Sequence, residues 1–119
     1  MKQAIFILLL LTGLSSHAQK TQEQCKAQQQ FENDLSANNL RIYILGGIAA
    51  RPKESDADFE KKYAVDFYDF GCLAPVNLNF YNEYNLLIFK HLTEKNGEEW
   101  EETIRKDVLA WNQWKPKQE

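Results

Sequence analysis

The sequence is poor in the residues on which most small-protein chemistry depends. Its 119 residues hold two cysteines and two histidines, and one of those histidines, His17, lies within the first eighteen residues. No Cys-x-x-Cys or His-x-x-x-His spacing occurs, so the usual frameworks for a zinc ion are missing and no metal or cofactor site is expected. Five glycines are present. Gly46-Gly47 follows an apolar run but lacks the longer glycine pattern and the lysine of a phosphate-binding loop. There is no basic excess: 14 Lys and Arg stand against 17 Asp and Glu, with the signs interspersed. A nucleic-acid surface needs clustered cations to displace counterions, so nucleic acid is excluded as a partner.

What is present begins with an address. Lys2 gives a positive start, Ala4 to Leu11 is an unbroken apolar run, and Ser16-His17-Ala18 offers small residues at a cleavable position. Residues 1–18 read as a secretory signal peptide cut after Ala18. The apolar run fades at Thr12-Gly13, short of the ~20 residues that span a bilayer. A lipid anchor would need a cysteine directly after it, whereas Cys25 follows Gln22-Glu23-Gln24. The expectation is an exported protein, periplasmic or secreted, with no membrane anchor after cleavage. The remaining 101 residues carry a formal charge of −4 and 14 aromatics, enough apolar surface for the core of one small domain.

Residues 19–39 are expected to form an N-terminal helix and linker. Thr21 to Leu35 sets Ala27, Phe31 and Leu35 at i, i+4, i+8, a thin apolar stripe, and Ser36 to Asn39 ends it. Leu40 to Leu45 reads as a buried strand. Ser55 and Asp58 resemble a capping box opening a short helix that buries Phe59 and Tyr63. Ala64 to Phe70 is a second strand, with Val65 and Phe67 on one side and Tyr68 and Phe70 on the other. Strand, short helix and strand at this spacing predict a parallel crossover. Cys72 to Leu78 is loop. Phe80 to Lys95 is a helix with Tyr84, Leu87, Ile88, His91 and Leu92 on one face, stopped by Asn96-Gly97. Glu98 to Trp114 is expected as one last helix with an acidic first turn and Trp100, Ile104, Val108, Trp111 and Trp114 on its stripe. Residues 115–119 are a tail. The class is a small α+β domain: a short parallel β-α-β unit packed by an N-terminal helix and two C-terminal helices.

Phe59-Glu60-Lys61-Lys62-Tyr63 spells FEKKY, and Gly71-Cys72, Tyr84-Asn85 and Gly97-Glu98-Glu99-Trp100 follow it. Over residues 40–111 the chain resembles the FEKKY-domain proteins, small exported bacterial proteins without an assigned activity. The resemblance implies a core domain at residues 40–114 and nothing about chemistry.

Two cysteines in an exported domain of this size favour pairing, so a Cys25–Cys72 disulfide is expected. Closing that loop would contribute about 4 kcal/mol on the chain-entropy account. The competing reading makes Cys72 a nucleophile beyond the carboxyl end of a strand, with His91 as its base. Against it, His91 sits within an apolar stripe and no basic neighbour activates Cys72. Asp66 and Asp69 fall on opposite sides of their strand and do not form an acid–base pair. Trp114, beside Lys115-Pro116-Lys117 where a core position is harder to arrange, is a candidate interaction anchor, with a place in the core the favoured reading. No catalytic set assembles from these residues, so the preferred function is non-catalytic: a binding or structural protein of the cell envelope or secreted fraction, whose partner is another envelope protein. A thiol-dependent hydrolase using Cys72 and His91, or an inhibitor or immunity-like protein, are the alternatives.

Overall fold

The structure is a computed structural model that describes residues 21–46 and 54–116. The expected leader therefore lies outside the described residues, as does Gly47. The elements are α1 (Gln22–Ser36), β1 (Leu40–Ile44), α2 (Glu54–Tyr63), β2 (Val65–Asp69), α3 (Leu78–Asn96), α4 (Trp100–Thr103) and α5 (Trp111–Trp114). This is a mixed helix and sheet fold, with α1 and α3 packed against the strands.

Helix α1 starts at a reciprocal cap. The Thr21 hydroxyl accepts from the Gln24 N–H, and the Gln24 side chain accepts from the Thr21 N–H at 2.8 Å. These bonds occupy two donors that a helix start leaves unpaired. Its buried face is Ala27, Phe31 and Asp34, while Leu35 is 42 % exposed. Thr21 and Gln24 lie beside Asn79–Glu83, and Phe31 and Leu35 beside His91 and Glu94, so α1 and α3 run in the same direction.

The predicted crossover is present. Strands β1 and β2 pair in parallel with Leu40 opposite Val65 and Ile44 opposite Asp69. Ala64, at φ 54°, supplies the left-handed residue that turns α2 into β2. Ser55 does not cap α2, because it lies inside the helix; Asp56 is instead turned into the protein. Helix α3 ends where expected, at Gly97, whose φ of 75° is costly for any residue with a Cβ.

The expected helix from Glu98 to Trp114 is not formed. It is broken into two single turns, α4 and α5; the chain leaves the first at Ile104, whose backbone is extended, and passes through turns on either side of Val108 before the second. The cause is a competing demand from β1, whose outer edge would otherwise stay unpaired. Val108 makes an antiparallel bridge to Ile44, and the Leu109 N–H donates to the Tyr43 carbonyl at 3.0 Å. Ala110 at φ 64° then re-aims the chain into α5. Trp100, Ile104 and Val108 are buried, and Trp111 and Trp114 pack on the same cluster. The apolar residues of the predicted stripe thus share one core without sharing one helix.

Candidate functional site

The expected Cys25–Cys72 disulfide is absent: both residues are exposed free thiols. Cys25 lies about 200° around α1 from Ala27, at 100° per residue, so it faces away from the buried stripe. Cys72 sits in the turn after β2. Nor does the fold unite Cys72 with His91. Phe70, two residues before Cys72, packs on Tyr81 with ring centroids 4.8 Å apart. His91 lies ten residues further along α3, about 15 Å of axial rise. Its ring packs edge-on against Phe31 at 5.8 Å, and burial, reinforced by Lys95, lowers its pKa. It is a helix–helix contact residue with no thiol near it.

The two strand aspartates also have separate roles. Asp69 accepts from the Gly71 N–H at 2.7 Å and from the Gly46 N–H at 3.3 Å, closing the turn that Gly71 makes at φ 70°. Asp66 is exposed. Among the described residues no group of three His, Cys, Asp or Glu is placed to hold a metal ion. Trp114 is half-buried; its indole N–H donates to Glu101 at 2.8 Å, and its ring lies 5.8 Å from Phe89 and 6.1 Å from Trp100.

The buried polar residues were the ones hidden from sequence reasoning. Asn85 is fully buried in α3. Its carbonyl accepts from the Tyr43 N–H at 2.9 Å, and its amide donates to the Tyr43 carbonyl at 2.9 Å and the Leu109 carbonyl at 3.0 Å. One side chain therefore closes the outer edge of β1 and joins it to α3 and the C-terminal segment. Glu60 does the corresponding work at the other edge, accepting from the Phe67 N–H of β2 at 3.2 Å. Tyr84 donates to Asp34 at 2.6 Å, tying α3 to α1; burial, with the Asp34 bond, drives the phenol pKa upward. Arg105, 7 % exposed, donates to Asp56 at 2.8 Å and grips Asp107 through two bonds of 2.6 and 2.7 Å.

Two surface features remain. An open depression of about 760 Å³ lies over α4 and α5, lined by four glutamates, Trp111, Lys106 and Lys115. Both of its lysines are engaged within it, and the glutamates remain in excess. Lys115 pairs with Glu101 at 2.6 Å, while Lys106 donates to the Glu101 carbonyl and lies 4.4 Å from the Trp111 ring centroid. The second is an uncharged lip from Phe70 to Leu78 at the carboxyl end of β2. Leu73 is 82 % exposed and Val76 fully so. Phe70 at its start packs with the rings of Tyr43, Tyr68 and Tyr81, each centroid within 6 Å of it.

Comparison with known protein families, with curated proteins and with solved structures finds no match for this chain. No helix among the described residues is long and apolar enough to cross a membrane.

Proposed function

We propose that this is an exported, non-catalytic binding protein of the FEKKY type, and that the lip from Phe70 to Leu78 is the face it presents to another protein of the envelope. The observation that carries the reading is the contrast between interior and lip. The buried polar residues Asn85, Asp34, Asp56 and Arg105 are engaged in holding the fold, whereas two aliphatic side chains stand in water at the carboxyl end of a strand, where open α/β sheets tend to bind. A contiguous exposed apolar patch is uncommon on a monomer and marks an interaction site more often than a scattered apolar residue does.

The test is a double substitution, Leu73→Asp with Val76→Asp. These side chains are exposed, so the variant should keep the thermal midpoint of the parent to within about 2 °C, since surface changes shift stability by roughly 0.5 kcal/mol or less. It should lose partners that the parent captures from its native envelope fraction. Equal capture by both proteins would remove the lip from consideration, and turnover abolished by Cys72→Ala would favour the hydrolase reading.

A further inference from the structure

We propose that the recess between the first turns of α1 and α3 binds a neutral polyhydroxylated ligand of about one saccharide unit. This site is separate from the lip and does not depend on it. Thr21, Glu23 and Gln24 come from the cap and first turn of α1, Asn79, Asn82 and Glu83 from α3, and Gln113 from α5; together they line an open recess of about 290 Å³. That is near the roughly 300 Å³ at which small-ligand sites begin. Asn79, Asn82 and Glu83 are set on one side of α3 by their i, i+3, i+4 spacing.

The lining decides the ligand class. All seven side chains can hydrogen-bond, none is apolar and none is cationic. An apolar ligand would cover hydrogen-bonding side chains without pairing them. An anion would meet two carboxylates and, among the described residues of the lining, no guanidinium or ammonium to pair with. A sugar hydroxyl both donates and accepts, and so does a planar side-chain amide, while a carboxylate accepts from two hydroxyls at once.

The groups are also available. Asn79, Asn82, Glu23, Glu83 and Gln113 make no side-chain hydrogen bond to the described residues. Gln24 is different: its carbonyl is held by the Thr21 N–H, which fixes the side chain and leaves the NH₂ unpaired. The recess therefore combines one anchored amide with several uncommitted ones. Two acidic groups with amide oxygens could also attract a hard cation, and calcium is the competing occupant.

The experiment is titration of the purified protein with chitotriose and with maltotriose, followed through the side-chain amide signals of its nitrogen-15 spectrum. At least one sugar should shift the signals of Asn79, Asn82 and Gln113. Asn79→Ala with Asn82→Ala should weaken binding by about tenfold or more. These changes break no fold contact and favour helix, so the variant should unfold at the same urea concentration as the parent. The proposal is overturned if neither sugar shifts these signals, if the double variant binds as well as the parent, or if calcium chloride displaces them while both sugars do not.

Discussion

Asn85 shows how a single residue can look functional and be architectural. A fully buried amide in the middle of an aromatic helix face invites a catalytic reading, yet all three of its bonds go to backbone groups: the Tyr43 N–H, the Leu109 carbonyl, and the Tyr43 carbonyl that the Leu109 N–H also reaches. Glu60 is similar: the acid of the FEKKY pentapeptide closes the edge of β2. Tyr63 from the same pentapeptide is the exception. Its hydroxyl is buried and has no hydrogen-bond partner among the described residues. Leaving a hydroxyl unpaired costs about 1–3 kcal/mol, so Tyr63→Phe should leave stability unchanged or raise it by about 1 kcal/mol in urea denaturation. A clear loss would show that the hydroxyl is satisfied in solution by a group or water that serves the fold.

At the scale of elements, periodicity located α1, both strands and α3 to within two residues, because each is a continuous run whose apolar period and stop signals agree. It failed for residues 98–114. There the i, i+4 spacing of Trp100, Ile104 and Val108 is compatible with a helix, but the decisive influence is a hydrogen-bonding need at Tyr43, more than 60 positions away, which no local pattern carries. The C-terminal turns are then held by Glu101, which bonds Trp114 and Lys115. Partial burial pushes its pKa up, but the bonds from Lys115 and Trp114 outweigh that and hold it below its ordinary value. A carboxyl with a lowered folded pKa contributes stability that is complete above its unfolded pKa of ~4.3 and lost as the pH falls through the folded value. Glu101→Gln should therefore cost about 1 kcal/mol at neutral pH and progressively less below about pH 4. A gap between variant and parent that stays constant from pH 7 to about pH 3 would contradict this role.

For the whole molecule, the central claim is that the Phe59–Tyr63 pentapeptide and the Gly71-Cys72, Tyr84-Asn85 and Gly97–Trp100 segments encode a fold. Phe59 and Tyr63 fill the core, Glu60 and Asn85 close the two outer edges of a sheet with only two strands, Gly71 and Gly97 make the left-handed turns, and Trp100 is fully buried. A two-stranded sheet is marginal unless other elements cover it, which explains why buried polar side chains are needed at its margins. The class of fold was legible because strand and helix periods are local. The candidate sites were not, because the bonds of Asn85, Arg105 and Asp34 reach across roughly 40 to 50 positions. Chemical denaturation of Asn85→Leu tests the claim most directly. Substitution leaves the Tyr43 N–H and the Leu109 carbonyl without their side-chain partner, so the account predicts a loss of about 3 kcal/mol or more; a variant as stable as the parent would contradict it.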